Sequence, residues 1–183
     1  MKQNNTRTLV LAALLAAFTT VATMIIKIPT PTMGYIHLGD GLVLLCGILL
    51  GPGMGAAAAG IGSMFADLFS GYAAWAPATL VIKAATAFVG GWAFHKLRTT
   101  AHATPLRTVL AGIPAEAVMV LGYYVYEVGL AMAGGSALGA AAAATAAGVP
   151  FNMVQGAAGV IVSAVLLPVL AHASRDLDTR IHT

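Results

Sequence analysis

Charged residues are scarce in this chain: Asp, Glu, Lys and Arg make up only 8% of its 183 residues, whereas 59% are hydrophobic. This balance, with a mean hydropathy of +0.88, is typical of an integral membrane protein and excludes an ordinary soluble domain. Cys46 is the single cysteine, so an internal disulfide is impossible. The net charge of +3 lacks the interleaved aromatic residues of a nucleic-acid surface, so we expect no nucleic-acid partner.

Recognisable catalytic motifs are also missing. The sequence contains no G-x-S-x-G, H-E-x-x-H or G-x-x-x-x-G-K pattern, and its histidines are not spaced with other ligands as a metal site requires. The chain is therefore predicted not to be an enzyme and to hold neither a metal nor a cofactor. Six membrane spans would use nearly all of its length, so we expect any ATP-hydrolysing module to be a separate polypeptide.

Apolar stretches between turn signals predict an all-α integral membrane protein with six transmembrane helices in one domain, residues 1–183. The predicted spans cover residues 8–26, 38–50, 54–69, 77–94, 108–132 and 150–171. Two prolines make residues 29–35 a loop, because each removes a backbone donor and disfavours helix before it. The Ala/Gly-rich stretch 134–148 is compatible with a loop, a short external helix or part of a span.

The basic residues are distributed unevenly around these spans. With the N-terminus inside, the cytoplasmic segments hold seven of them: Lys2, Arg7, Lys96, Arg98, Arg107, Arg175 and Arg180. The external connections hold only Lys27. The positive-inside rule therefore predicts that both termini face the cytoplasm.

Ionisable residues inside apolar segments are the most informative feature of the sequence, because each costs several kcal/mol at membrane depth. They are Asp40, Asp67, Lys83, Glu116 and Glu127. With the amides Asn152 and Gln155, all except Glu116 fall in the outer half of the predicted spans. This convergence predicts a polar pocket that opens outward beneath the loop 29–35; a sealed structural network is the alternative.

Three functions remain compatible with such a pocket. The first is a substrate-binding subunit of a transporter, which the pocket and the missing ATPase favour. The second is a self-sufficient ion-coupled carrier that uses Lys83, Glu116 and Glu127 as a relay, although no internal repeat supports it. The third is a small intramembrane enzyme, for which no nucleophile or metal set is present.

Small residues recur on two of the predicted helices. Ala12, Ala13, Ala16 and Ala17 form two overlapping small-xxx-small pairs on the first span, and such pairs let another helix approach closely. Similar spacing at Gly55, Ala59 and Gly60 on the third span is interpreted as internal packing.

Four segments carry a resemblance to a known family: residues 35–41 (YIHLGDG), 49–52 (LLGP), 60–72 (GIGSMFADLFSGY) and 76–83 (APATLVIK). The sequence resembles the substrate-binding S components of energy-coupling factor (ECF) vitamin transporters, over essentially the whole chain. The resemblance implies six spans with both termini inside, a vitamin pocket capped by the loop after the first helix, and partnership with a membrane coupling protein and two cytoplasmic ATPases. It also implies a multi-pass location in a prokaryotic plasma membrane.

The same resemblance suggests roles for individual residues. The predicted substrate-binding residues are Tyr35, His37, Lys83, Glu127, Asn152 and Gln155, of which His37 is singled out by its place at the outer mouth. Asp40, Asp67 and Trp75 are assigned to structure or gating, and Ala12, Ala13, Ala16 and Ala17 to contact with the coupling protein. Carboxylate, lysine and amide groups favour a pyridoxine-like or hydroxymethylpyrimidine-like ring, with riboflavin as the larger possibility.

Overall fold

The computed structural model describes residues 2–32, 34–97 and 104–181, and among them the side chains from residue 6 to residue 170. Met33, in the predicted loop, and Arg98, in the predicted cytoplasmic segment, lie outside these ranges. The seven helices of the described residues are α1 Lys2–Ile25, α2 Asp40–Leu50, α3 Pro52–Phe69, α4 Ala76–Lys96, α5 Thr104–Ala133, α6 Leu138–Thr145 and α7 Val149–Ile181.

Six of these helices correspond to the six predicted spans, with bounds that agree within a few residues except at α1 and α7. Helix α1 begins at Lys2, well before the apolar stretch, and α7 continues to Ile181, through the polar end of the sequence. The ambiguous Ala/Gly stretch contains a turn, then α6, and then a single 3-10 turn, Ala146–Gly148, that leads into α7. The short-helix alternative therefore describes it best.

The loop after α1 is a two-stranded hairpin, which corrects the all-α prediction: the fold is mostly helical. Strand β1, Lys27–Pro29, pairs antiparallel with β2, Tyr35–His37, and Ile28 lies opposite Ile36. Prolines exclude helix here but are tolerated at a strand end, where no ladder donor is required. Thr30 closes the hairpin by donating its N–H to the Gly34 carbonyl at 2.9 Å.

Four helical stretches are long and apolar enough to cross a membrane: Thr6–Ile25, Ala76–Lys96, Thr104–Ala133 and Leu138–Leu170. Helix α2 has only 11 residues, about 16 Å at 1.5 Å per residue, or roughly half of a hydrocarbon core. It is shielded by its neighbours, since Val43, Leu44, Leu45 and Cys46 are completely buried. The protein is thus a multi-helix membrane protein, whereas six full spans with both termini inside remain a prediction.

Glycines let the helices of this bundle approach closely. A Cβ atom on Gly55 of α3 would lie 2.3 Å from the Cys46 carbonyl oxygen of α2. A Cβ atom on Gly62 would lie 2.4 Å from the carbonyl oxygen of Ala16 in α1. Any larger residue would force these backbones apart. The prediction that the small residues of the third span serve internal packing is confirmed.

The alanine pattern on α1 divides between two faces. Ala12 is buried in a cluster with Val43 and Ala59, and Ala16 packs on α3 at Gly62. Ala13 and Ala17 are exposed. Ala12 and Ala16 thus contribute to packing inside the protein, and contact of the four alanines with the coupling protein stays a prediction.

Candidate functional site

A small polar cavity lies where the hairpin meets α3, α4, α5 and α7. Its lining consists of Thr30, Gly34, Tyr35, His37, Asp67, Trp75, Thr79, Tyr123, Glu127, Asn152 and Gln155. The free volume is only about 20 Å³, enough for roughly one water molecule. Of the predicted substrate-binding residues, all except Lys83 face this cavity; Asp67 and Trp75, predicted to act in structure or gating, face it too.

Tyr35 connects the hairpin to the end of α3. Its hydroxyl donates a 2.7 Å hydrogen bond to Asp67 Oδ1, and its ring lies 4.5 Å from that of Tyr72. Burial, reinforced by the nearby Asp67 carboxylate, raises the pKa of Tyr35 well above its usual range. Tyr35 therefore stays protonated and acts as a hydrogen-bond donor.

His37 connects β2 to α7 and to the start of α2. Its backbone N–H donates to Gln155 Oε1 at 2.9 Å, and its Nδ1 accepts the N–H of Gly39 at 3.0 Å. Burial, with a smaller contribution from the positive charge of Lys83, lowers the pKa of His37 to about 3. A ring that accepts at Nδ1 must carry its proton on Nε2, so His37 is a neutral imidazole.

An ion pair lies next to these residues. The Lys83 ammonium on α4 donates to Asp40 Oδ1, while Gln155 Nε2 donates to Asp40 Oδ2 at 2.7 Å. Lys83 and Asp40 are both completely buried. Lys83 also lies 5.2 Å from the ring centroid of Tyr123, a cavity-lining residue. In this conformation Lys83 is committed to Asp40 and separated from the cavity.

Among the described residues, one side-chain hydrogen bond holds the hairpin on α5. Thr32 Oγ1 donates to Glu127 Oε1 at 3.2 Å, and Thr30 Oγ1 lies 3.1 Å from Thr32 Oγ1. On the far side of this contact is a wider space of about 310 Å³, which we call the vestibule. It is lined by Pro31, Thr32, Trp75, Glu127, Leu130, Ala131, Ala144 and Thr145.

Three buried polar atoms of the cavity lining have no hydrogen-bond partner among the described residues. They are Trp75 Nε1, Asp67 Oδ2 and Glu127 Oε2. An unpaired buried polar atom costs about 1–3 kcal/mol, so native proteins keep few of them. Trp75 lies beside the Glu127 carboxyl group and Thr79 beside that of Asp67, so a guest molecule would compete with these neighbours for one donor and two acceptors.

Glu116 lies apart from this cavity, as its predicted depth suggested. Its carboxylate is buried on the wall of a separate apolar groove of about 580 Å³ between α5 and α7. Among the residues that the structure describes, no group of three or more His, Cys, Asp or Glu side chains could hold a metal ion.

Sequence reasoning missed Thr30, Gly34 and Thr79 in the lining. Thr79 lies four residues before Lys83, on the same face of α4, and its hydroxyl is 3.0 Å from the Tyr123 hydroxyl. The helical spacing could have identified it. Gly34 and Thr30 carried no comparable signal, because their position depends on the hairpin.

A mostly helical membrane protein with a polar cavity under a hairpin is typical of the class of membrane-embedded binding proteins. A family model described as "ECF-type riboflavin transporter, S component" matches residues 3–172. The chain therefore belongs to this family: it is a substrate-binding subunit of an ECF transporter, is embedded in the membrane and is not an enzyme. The predicted family is confirmed.

Two further comparisons show proteins to which this chain is similar. A solved structure, described as "Structure and mechanism of the S component of a bacterial ECF transporter", superposes with a TM-score of 0.67 at 23% identity and covers 92% of this chain and 97% of its own. This likeness shows the fold. An uncharacterized protein in the gap 3' region of Pyrococcus woesei is 46% identical over 105 residues, which are 57% of this chain and 67% of the relative.

Proposed function

We propose that this S component binds a water-soluble vitamin or vitamin precursor with high affinity for an ATP-driven importer, and that a pyridoxine-like or hydroxymethylpyrimidine-like ring is favoured over riboflavin. The observation that carries the proposal is the set of unpartnered atoms on Trp75, Asp67 and Glu127, which face one cavity. A small ring that bears hydroxyl or amino groups would satisfy them, and Tyr35, Tyr123 and Trp75 offer aromatic surfaces to it.

The dimensions of the site support a small ligand. The cavity holds no ring as it stands, while the adjoining vestibule of about 310 Å³ is at the lower end of the range for ligand pockets. Riboflavin, which the description of the family names, has a tricyclic ring and a ribityl chain and would need more rearrangement than a single ring.

The importer would assemble around this subunit in the plasma membrane of a prokaryote, with both termini of the chain in the cytoplasm. A transmembrane coupling protein and two cytoplasmic ATPases would supply the energy, as the family assignment suggests. The exposed small residues Ala13 and Ala17 on α1 suit close contact with a helix of the coupling protein.

The decisive experiment is mass spectrometry of the compound that co-purifies with the protein, followed by calorimetric titration of the stripped protein with vitamins and precursors. We expect nanomolar affinity for one ring compound without partners or ATP. Binding no tighter than micromolar across the panel would contradict the proposal. Gradient-driven uptake by the protein alone in vesicles, abolished by an ionophore, would instead favour the ion-coupled carrier.

A further inference from the structure

Two cavities meet at the hairpin and share two wall residues. Trp75 and Glu127 line both the polar cavity and the vestibule. Thr32, which belongs to the vestibule, donates to one carboxylate oxygen of Glu127, while the other oxygen has no partner among the described residues. The smaller space has more of the polar groups and the larger one has the volume, so a ring that uses both would extend past Glu127.

The acidic side chains on the walls of the two cavities have no Lys or Arg counterpart in the described lining. Asp67 and Glu127 contribute two carboxyl groups, and no Lys or Arg occurs among the described residues that line either space. The two nearest cations lie behind aromatic rings of the lining, with Lys83 5.2 Å from the ring centroid of Tyr123. Lys83 is paired with Asp40, and Lys27 is exposed on β1, 5.7 Å from the ring centroid of Tyr35.

We propose, on the basis of the proposed function, that the ligand is an uncharged or cationic ring compound rich in hydrogen-bond donors. Anionic forms of the same ring are rejected, and Glu127 is the residue that sets this selectivity. Two of the three unpartnered atoms are carboxylate oxygens, which need donors. A phosphate or carboxylate group supplies acceptors only and would be desolvated beside like charge.

Burial strengthens this discrimination. Specificity between related ligands depends as much on repulsive and unpaired groups in the wrong complex as on contacts in the right one. A phosphate ester in this site would leave Asp67 Oδ2 and Glu127 Oε2 unpaired and would bring an anion towards both in a medium where water does not screen them. An amine substituent would instead gain a charged partner.

The test compares matched pairs of ligands on the purified full-length chain by calorimetry: pyridoxine against pyridoxine 5′-phosphate, and riboflavin against riboflavin 5′-phosphate. In whichever pair binds, we expect the unphosphorylated compound to bind about 100-fold more tightly than its phosphate ester, since like charges in contact cost several kcal/mol. Glu127→Gln should reduce that ratio to about 10-fold or less. Glu116→Gln removes the same charge from a buried site outside both cavities and should leave the ratio unchanged.

The outcomes separate this inference from the proposed function. Equal or tighter binding of a phosphate ester would overturn the charge selectivity while leaving vitamin binding intact. An unchanged ratio in Glu127→Gln would overturn the assignment to that residue. If no member of either pair binds, and no ring compound is recovered from the protein, both the proposed function and this inference are overturned.

Discussion

Asp40, the first residue of α2, and Lys83, in the second turn of α4, form an ion pair that is completely buried. Gln155 of α7 donates to the second carboxylate oxygen of Asp40, so three helices meet at one carboxylate. Two buried charges are tolerated only when each is paired and the remaining lone pairs are satisfied. The pair thus positions α2, α4 and α7 at the floor of the site, while contact of Lys83 with a ligand stays a prediction.

The first prediction concerns this pair. Lys83→Met should lower the free energy of unfolding by about 3–5 kcal/mol, because it leaves the Asp40 carboxylate buried without its counter-ion. Adding Asp40→Asn should restore part of the loss, since the uncompensated charge is then gone. Thermal denaturation in detergent measures both effects.

Lys96→Met provides the matched control, because Lys96 is on the same helix but exposed. Its effect should stay within about 0.5 kcal/mol, as is usual for surface substitutions. If Lys83→Met and Lys96→Met have equal melting temperatures, the ion pair does not stabilise the fold.

The second prediction is a pH dependence of stability that arises from His37. Burial lowers its pKa to about 3, whereas the unfolded chain protonates this side chain near 6.5. Between pH 3 and pH 6.5 the unfolded state binds a proton on His37 that the folded state does not bind. The contribution of neutral His37 to the free energy of unfolding is therefore complete above pH 6.5 and is lost as the pH falls towards 3. The expected loss is about 1.4 kcal/mol per pH unit within that window.

His37→Asn isolates this contribution, because an amide oxygen can still accept the Gly39 N–H but does not titrate. The melting temperature of the variant should fall less steeply from pH 7 to pH 5 than that of the wild type. His95→Asn replaces an exposed histidine and should keep the wild-type slope. Parallel curves for the wild type and His37→Asn would show that His37 is not buried as a neutral ring.

The third prediction concerns the hairpin as a lid. Thr32→Val keeps the shape of the side chain and removes its hydrogen bond to Glu127. The dissociation rate of the bound compound should rise by roughly 10- to 150-fold, while the association rate changes little, because a hydrogen bond to a charged group contributes roughly 1.5–3 kcal/mol. Stopped-flow displacement measures both rates.

A threonine far from the site supplies the comparison. Thr108 is buried in α5 and donates only to the Thr104 carbonyl of its own helix. Thr108→Val should leave both rates unchanged. Equal dissociation rates for the two variants and the wild type would indicate that the hairpin only connects α1 to α2.

The sequence predicted the depth of the polar residues well and their direction poorly. Asp67, Glu127, Asn152 and Gln155 face one cavity because ionisable and amide groups avoid lipid, a constraint that sequence alone reveals. Lys83 lies at the predicted depth, but its ammonium group points to Asp40 and away from the cavity. Helices that are apolar on every side give no periodicity from which such a direction can be calculated.

The hairpin and α1 show the same limit. Two prolines excluded a helix at residues 29–35, but the pairing of Ile28 with Ile36 depends on tertiary placement and left no local pattern. On α1, alanine is common on both faces, so spacing alone could not separate the buried Ala12 from the exposed Ala13. Burial against Val43 and Ala59 makes that distinction.

The last prediction separates binding from transport and follows from that division of α1. Ala17→Trp places a large side chain on an exposed face that the protein itself does not use. It should leave ligand affinity and melting temperature unchanged while abolishing ATP-dependent uptake by the assembled complex, because close helix packing in lipid depends on small residues. Uptake of the radiolabelled compound into vesicles measures the effect.

Two substitutions on the same helix complete this experiment. Ala16→Trp would drive α1 away from Gly62 of α3, so it should lower the melting temperature even without partners. Phe18→Trp changes an exposed side chain about 100° around the helix from Ala17 and should keep full uptake.

Full uptake by Ala17→Trp as well, with normal assembly, would show that this face of α1 contacts lipid and not the coupling protein. A loss of ligand binding in Ala17→Trp would instead show that α1 positions the hairpin, since β1 begins only two residues after α1 ends.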